Sequence, residues 1–285
     1  MMETVSIIGL GLVGSSLGLA LKKYVPGMKV KGYSRRGETV RLALRKGVID
    51  AEASSLKEAV GGAHLVVIAT PVLATKTILQ EIAPHVTLKC IVSDVGSTKV
   101  RVMEWAKEYL PGNASFVGGH PMAGKEQSGI EAADPDLFRN AVYCLTTATR
   151  ADKGDVTYLE KLIREIGATP MVIDAEVHDR YVAAVSHLQF LLAEAVMATC
   201  THDPSWAGMA KLASSGFRDT TRLASGDPLM YRDICATNSS EILNRIDDFV
   251  KELQRIRSLV GRDPEKLEKL FKELRLAREN WLKGR

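Results

Sequence analysis

Val5-Ser6-Ile7-Ile8-Gly9-Leu10-Gly11-Leu12-Val13-Gly14, close to the N-terminus, sets the architecture of the first half of the chain. Its apolar run predicts a short buried strand, a GxGxxG pattern follows directly, and Ser15 to Tyr24 is then predicted to form a helix. A strand, a glycine turn and a helix in this order form the unit that binds dinucleotides. Gly9 would make the tight turn, Gly11 would admit the pyrophosphate, and Gly14 would let helix and strand pack closely. The simpler alternative is that the glycines only shape a turn.

The first half of the chain alternates short apolar runs with helical stretches, which is typical of βαβ units and a parallel sheet. The predicted strands are Val5–Ile8, Val30–Tyr33, His64–Ala69, Cys90–Ser93, Phe116–Val117, Val142–Leu145 and Met171–Ile173. After Asp174 the alternation ends, and a long helix is predicted from Glu176 to about Thr199. It is apolar nearly all round, so it is expected to be buried on all sides or partly covered by a partner subunit. The pattern therefore predicts an α/β dinucleotide-binding domain over residues 1–174 and an all-helical domain over residues 175–285.

Composition and charge exclude several classes of function. The chain has 285 residues, is 46% hydrophobic and 25% charged, and carries a formal net charge of only +4, so no nucleic-acid partner is expected. The four cysteines are far apart and form no CxxC pair, which favours reduced thiols over disulfides or a metal site. Met1 to Thr4 lead straight into a predicted strand, so no signal peptide is expected. Polar residues interrupt the longest apolar run, Val182 to Met197, so no membrane span is expected. A cytoplasmic protein without a membrane partner is expected.

The end of the second predicted strand bears on the choice of cofactor. A NAD site normally has Asp or Glu at this position, where the carboxylate binds the ribose 2′-hydroxyl. This chain instead has Ser34, Arg35 and Arg36, a hydroxyl and two guanidiniums that suit a 2′-phosphate. The sequence thus favours NADP over NAD. The alternative is that both arginines are merely solvated and that NAD is used.

His120 is the candidate for proton transfer, because it follows an apolar strand and is surrounded by glycines and a proline. On its own this could be a surface loop with an incidental histidine. However, Thr70-Pro71 and Asp94–Lys99 also follow predicted strands. Ligands of open α/β sheets bind at the carboxyl ends of the strands, so these segments are expected to share one site with His120.

Taken together, the motifs resemble those of the prephenate/arogenate dehydrogenase family. The similar segments, in chain order, are Gly9–Gly14, Ala69–Val72, Asp94–Lys99, Gly118–Gly129, Ser186–Leu188 and Ser215–Arg222. The resemblance spans nearly the whole chain and implies a Rossmann-type N-terminal domain with an all-helical C-terminal dimerisation domain, hence a homodimer. It implies NAD(P)-dependent oxidative decarboxylation of prephenate to 4-hydroxyphenylpyruvate in tyrosine biosynthesis. The alternative within the family is an arogenate dehydrogenase that uses NADP and makes tyrosine directly.

The resemblance also implies roles for individual residues. His120 matches the family's catalytic base, and Ser97 matches the serine beside it. Arg222 matches an arginine that binds a substrate carboxylate, Asp219 and Glu126 match the acids of its ionic network, and His187 is placed near the substrate. The residues implied to bind the cofactor are Gly9, Leu10, Gly11, Leu12, Val13, Gly14, Ser34, Arg35, Arg36, Thr70, Pro71 and Ser97. His178-Asp179 is assigned only to the start of the long helix.

A few positions depart from the family pattern. Phe190 stands where some members have a second histidine, with Gln189 in place of the usual proline, and an apolar residue there favours arogenate. Lys125 replaces a threonine or serine, and its cation would bind a carboxylate of prephenate. Tyr231 stands where tryptophan is common and is expected to pack behind the site. Because the first two indications oppose each other, the choice of substrate stays open.

Two other classes of protein compete with this interpretation. A dehydrogenase of the β-hydroxyacid type would need a catalytic lysine in the helical domain, and only Lys211 is well placed for that role. A regulator that senses nucleotides without catalysis would keep the glycine motif. It would have no reason to combine that motif with Ser97, His120 and Arg222.

Overall fold

The computed structural model of the protein describes residues 3–87, 90–112, 114–125, 127–147 and 153–284. Eight strands form one sheet in the order β3-β2-β1-β4-β5-β6-β7-β8. Their bounds are β1 Thr4–Ile8, β2 Lys29–Tyr33, β3 Ala51–Glu52, β4 Leu65–Ile68, β5 Ile91–Asp94, β6 Ser115–Pro121, β7 Val142–Thr147 and β8 Thr169–Val172. The first six strands follow the order 3-2-1-4-5-6 of the Rossmann fold, so the predicted fold class is confirmed.

The core lies on both faces of this sheet, because helices cover each face. In β4, Leu65 and Val67 pack into one hydrophobic cluster, whereas Val66 and Ile68 pack into the other. This alternation follows from the two-residue period of a strand. It also explains why the predicted strands are continuous apolar runs, as is usual when a parallel sheet is buried on both faces.

Helices connect and follow the strands. Those before β8 are α1 Leu12–Tyr24, α2 Gly37–Arg45, α3 Leu56–Val60, α4 Val72–Ile82, α5 Val100–Tyr109 and α6 Lys153–Glu165. Those after it are α7 Ala175–Val182, α8 Leu188–Thr201, α9 Trp206–Met209, α10 Ser215–Thr221, α11 Pro228–Thr237, α12 Ser239–Leu259 and α13 Pro264–Lys283. The architecture therefore changes from sheet to helices close to Asp174. The boundary between compact units does not coincide with this change in architecture. The two compact units of the chain are Met1–Ser239 and Ser240–Arg285.

Some local features differ from the sequence-based expectations. Helix α1 begins at Leu12, directly after the glycine turn, and not at Ser15. The two-residue strand β3 was not predicted, because Ala51-Glu52 is too short to show a period. The last two strands complete the sheet after a reversal, since β7 runs antiparallel to β6 while β8 is parallel to β7.

Helices α7 and α8 form one uninterrupted helix, Ala175–Thr201, joined by a π turn over Ala183–His187. By length and composition alone this helix could cross a membrane, so the expectation that no segment qualifies was wrong on that criterion. Within the protomer, only 28% of the most apolar 18-residue stretch of this helix is buried. Its buried side includes Val182, Phe190 and Ala193, while Tyr181 and Val185 are exposed.

The second unit contains the last two helices. Asp263 caps α13 by accepting a hydrogen bond from the backbone amide of Lys266 at 3.0 Å, and Pro264 occupies the first turn, where its missing N–H costs nothing. Both helices leave large apolar side chains exposed, namely Leu243, Val250, Leu253, Phe271, Leu274, Leu276, Trp281 and Leu282. Such a surface is typical of an interface with another chain.

Candidate active site

The glycine turn after β1 has the geometry of a dinucleotide cradle. Gly9 adopts a φ of +107°, and a Cβ there would lie 2.5 Å from the carbonyl oxygen of Ala69. A larger residue at this position would therefore push apart the ends of β1 and β4. A Cβ on Gly14 would collide with the carbonyl oxygen of Gly9. At Gly11, by contrast, a Cβ would meet nothing within 4 Å. Gly11 therefore faces open space at the N-terminus of α1, where backbone amides attract phosphate.

The loop after β2 carries the predicted ribose-recognition residues. Ser34 is half-buried and its Oγ accepts a hydrogen bond from the amide of Arg36 at 3.3 Å. Arg35 and Arg36 are exposed, and neither forms an ion pair with another residue in the described part of the chain. Thr70 and Pro71 follow β4, on the other side of β1, and the buried Oγ1 of Thr70 has no hydrogen-bond partner among the described residues. The two guanidiniums are thus accessible to a ligand at the carboxyl edge, whereas the Thr70 hydroxyl is buried.

A buried ion pair joins the carboxyl ends of the next two strands, β5 and β6. Nζ of Lys99 donates to Oδ2 of Asp94 at 2.5 Å and to the carbonyl oxygen of Gly119 at 2.6 Å, and both charged side chains are 0% exposed. Asp94 also accepts from the amides of Gly96 and Gly119, at 2.7 Å and 3.0 Å. A Cβ on Gly119 would collide with the backbone of Asp94. The pair therefore fixes the backbone immediately before His120.

His120 lies at the end of β6 and is joined to two residues to which the sequence assigned no chemistry. Its Nδ1 is 2.9 Å from Nε2 of His178, and Nδ1 of His178 is 2.8 Å from Oδ1 of Asp179. The three residues are 8%, 1% and 2% exposed, respectively. Burial lowers the pKa of His120 well below its usual range, and its electrostatic interactions with His178, Lys99 and His187 act in the same direction. The imidazole of His120 is therefore neutral at pH 7, as a general base requires.

Asp179 is held in place by the start of α5. Its two carboxylate oxygens accept from the backbone amides of Lys99 and Val100, at 2.7 Å and 2.9 Å. The side-chain amide of Asn238 donates to the carbonyl oxygen of Asp179 at 2.9 Å. The sequence does contain a signal for this cluster, because a His-Asp pair directly follows the last strand. Assigning it only to the helix start missed its contact with His120.

His187 lies in the same buried region because of the π turn. In a regular helix, residues nine positions apart such as His178 and His187 would lie about 180° apart around the axis, on opposite faces. A π turn accommodates one extra residue, which reduces this to about 80°. Nδ1 of His187 is 3.3 Å from the Asn238 amide. Nε2 forms no hydrogen bond of ordinary geometry with the described residues, although the backbone of Ser97 lies close enough to favour the protonated ring. Burial lowers the pKa of His187 to about 4, although Asp179 acts in the opposite direction.

The remaining predicted catalytic residue, Ser97, is half-buried in the loop between β5 and α5. No hydrogen bond joins its hydroxyl to His120 among the residues described, so its role stays a prediction. Lys211, on which a β-hydroxyacid dehydrogenase would depend, is exposed after α9.

The predicted substrate-binding residues are more dispersed. Arg222 begins a 3-10 turn that packs against α8. Asp219 is exposed and pairs with Arg218 at 3.5 Å. Lys125 pairs with Asp134 at 2.8 Å, so its charge is partly compensated within the chain. Glu126 lies outside the described residues.

Phe190 and Tyr231 form a stacked pair, with ring centroids 3.9 Å apart and an interplanar angle of 3°. The Tyr231 hydroxyl donates to the carbonyl oxygen of Leu223 at 2.7 Å, one residue beyond Arg222. Phe190 also lies beside His187, at a centroid distance of 6.3 Å. The stack therefore connects the segment that carries Arg222 to the helix that carries His187. This agrees with the packing position expected for Tyr231.

Comparison with known proteins gives consistent similarities. The family model of the prephenate dehydrogenase nucleotide-binding domain matches residues 17–172, and that of its dimerisation domain matches residues 174–276. A prephenate dehydrogenase of Bacillus subtilis (strain 168) is 38% identical over 281 residues, which are 98% of this chain and 75% of that protein.

Two solved structures are similar over almost the full chain. The structure of A. aeolicus prephenate dehydrogenase in complex with hydroxyphenyl propionate and NAD+ has a TM-score of 0.92 and 29% sequence identity, and the match covers 98% of each chain. The structure of Synechocystis arogenate dehydrogenase has a TM-score of 0.83 and 28% identity, covering 98% of this chain and 99% of that one.

Proposed function

The chain belongs to the prephenate dehydrogenase family, and on that premise we propose that it oxidatively decarboxylates prephenate to 4-hydroxyphenylpyruvate with a nicotinamide cofactor. The observation that carries the proposal is His120. It is a buried, neutral imidazole at the carboxyl edge of the sheet that holds the glycine cradle.

The cradle fits the cofactor because Gly11 leaves open space at the N-terminus of a 13-residue helix, while Gly9 and Gly14 are required for packing. When bound, a nicotinamide supplies the acceptor for the hydride that leaves C4 of the substrate ring. In the proposed reaction His120 accepts the proton of the C4 hydroxyl, the ring carboxylate leaves as CO2, and the ring becomes aromatic. Burial of His120 excludes water from this proton transfer.

Substitution of His120 tests the catalytic proposal. His120→Asn should lower kcat by about 10²–10⁴-fold, the usual contribution of a general base, while the Kd for the cofactor changes little. His202→Asn, at an exposed histidine, is the matched control. Near-normal turnover of His120→Asn would remove His120 from the mechanism.

The proposed substrate contacts are Arg222, which would hold a carboxylate in a bidentate fork, and the buried Nε2 of His187. The ion pair of Lys125 with Asp134 weakens the sequence argument that Lys125 selects prephenate. Phe190 is occupied by stacking on Tyr231, which weakens the opposite argument for arogenate. Steady-state assays of both substrates with both cofactors decide the choice. A higher kcat/KM for arogenate would replace prephenate as the substrate.

For the cofactor we propose a preference for NADP. The support is two exposed guanidiniums without carboxylate partners in the described part of the chain, next to the Ser34 hydroxyl. Hydrogen bonds to charged groups contribute about 1.5–3 kcal/mol, so replacing Arg35 and Arg36 by alanine should lower kcat/KM for NADP by about 10- to 100-fold. The value for NAD should change much less. Wild-type protein that uses NAD as efficiently as NADP would contradict this proposal.

We further propose a homodimer, a domain boundary near Asp174 and a cytoplasmic location. The exposed apolar side chains of the last two helices and the bounds of the two family models support the first two. Four free cysteines are compatible with the third. Leu274→Glu, at a side chain 51% exposed, should weaken self-association in sedimentation equilibrium, whereas the neighbouring Lys272→Glu should not. A wild-type protein that is monomeric at micromolar concentration would refute the dimer.

A further inference from the structure

Three buried side chains form a hydrogen-bonded chain that ends at the proposed base. It runs from His120 through His178 to Asp179, with distances of 2.9 Å and 2.8 Å. Asp179 and His178 are adjacent on α7, whereas His120 lies on β6. The chain therefore joins the first helix of the helical region to the end of a sheet strand.

The partners of Asp179 determine where the hydrogens lie. An ionised carboxylate only accepts, and Asp179 already accepts from the amides of Lys99 and Val100. Nδ1 of His178 must therefore carry a hydrogen, which it donates to Asp179. The Nε2 atom of a neutral His178 then has a lone pair, so Nδ1 of His120 is the donor between the two rings. This leaves the lone pair of His120 on Nε2.

We propose that His178 is a positioning residue that fixes the tautomer of His120, so that Nε2 of His120 accepts the substrate proton. The inference rests on the proposed function, because it assigns a task to the same base. When Nε2 takes the proton, Nδ1 can share the new positive charge with His178, which Asp179 stabilises. The arrangement follows the logic of the Asp-His pair in serine proteases, with a second imidazole between acid and base.

The groups around His178 bear on an alternative state, in which His178 is protonated and the hydrogen bond to His120 is reversed. The charged or titratable groups nearby are Asp179 on its own helix, His120 on β6, Lys99 at the start of α5 and His187 at the end of the π turn. A proton added to His178 would reverse the hydrogen bond to His120. Nε2 of His120 would then carry hydrogen and could not act as a base.

Two variants separate this role from a structural one. His178→Leu removes the acceptor and should lower kcat by about 10²-fold or more, within the range for loss of a general base, with KM for both substrates within about threefold. His178→Gln keeps an amide oxygen that can accept from Nδ1 of His120 and should recover much of the loss. The pH dependence of kcat should shift in His178→Leu, while His202→Leu should match the wild type in every respect.

The tautomer itself can be observed without turnover. The chain has six histidines, and ¹⁵N-labelled imidazole resonances, assigned by single substitutions, report which ring nitrogen carries hydrogen. We expect hydrogen on Nδ1 of both His120 and His178 at pH 7.5. Hydrogen on Nε2 of His120, or a kcat of folded His178→Leu within threefold of wild type, would overturn the proposal. If the wild-type protein has the expected tautomers but does not oxidise prephenate or arogenate, the proposed function fails and the tautomer assignment stands.

Discussion

Replacing Lys99 by methionine should lower the free energy of unfolding by about 3–5 kcal/mol, the cost of removing one partner from a buried ion pair. The structure supports the upper part of this range. Lys99 and Asp94 are both 0% exposed, and Nζ of Lys99 also donates to the carbonyl oxygen of Gly119. Methionine fills a similar volume but leaves a buried carboxylate without its cation and a buried carbonyl without its donor. Each unsatisfied buried group costs about 1–3 kcal/mol, and a charged group costs more.

The assay is urea denaturation of each variant at one protein concentration. Lys46→Met is the matched control, because Lys46 pairs with Glu131 at the surface, where the side chains are 37% and 72% exposed. Exposed pairs contribute about 0–1 kcal/mol, so this control should change little. The double variant Asp94→Asn with Lys99→Met should recover part of the loss, because no unpaired charge remains. If Lys99→Met costs no more than Lys46→Met, the ion pair does not stabilise the strand that leads to His120.

Three further outcomes are expected. Because burial lowers the pKa of His187 from its ordinary 6.5 to about 4 in the folded protein, the unfolded chain binds more protons below pH 6.5, and stability falls as the pH decreases towards 4. Wild type should therefore lose about 2 kcal/mol more than His187→Gln between pH 7.5 and pH 5 in urea titrations, and equal losses would contradict the burial argument. Gly11→Val should keep the wild-type Tm, because its side chain would enter open space, but it should raise the Kd for the cofactor. Gly14→Val should fail to fold, because its side chain would collide with the backbone of Gly9. An unchanged cofactor Kd in Gly11→Val would show that the glycine turn does not bind the cofactor. Asp263→Ala should cost about 1 kcal/mol through loss of the helix cap, with Asp263→Ser close to wild type, and urea midpoints that do not differ would refute the capping role.

The sequence predicted the features that depend on local pattern. Buried strands such as Leu65–Ile68 are continuous apolar runs, and the glycine motif has a fixed place between a strand and a helix. His120 could be identified because it follows a strand, and ligand sites of open sheets lie at that edge.

Features that depend on contacts distant in sequence could not be predicted in the same way. The bond between His120 and His178 joins residues 58 positions apart, and the ion pair of Asp94 with Lys99 depends on Gly119 of another strand. The stacking of Phe190 on Tyr231 depends on how α8 and α11 pack. None of these has a period or a composition of its own.

The π turn at Ala183–His187 has a consequence for which genetic changes the protein can tolerate. Deleting one codon there, for example that of exposed Val185, would leave an unbroken helix with nearly the same composition. The regular helix that remains would separate the two histidines by eight positions of about 100° each, which again places them about 80° apart. Every later residue of the helix would therefore keep its orientation relative to His178. A single-codon deletion in the middle of α8 would instead rotate every residue after it by about 100°. A scan of single-residue deletions should thus find the π turn more tolerant than the regular helix that follows it.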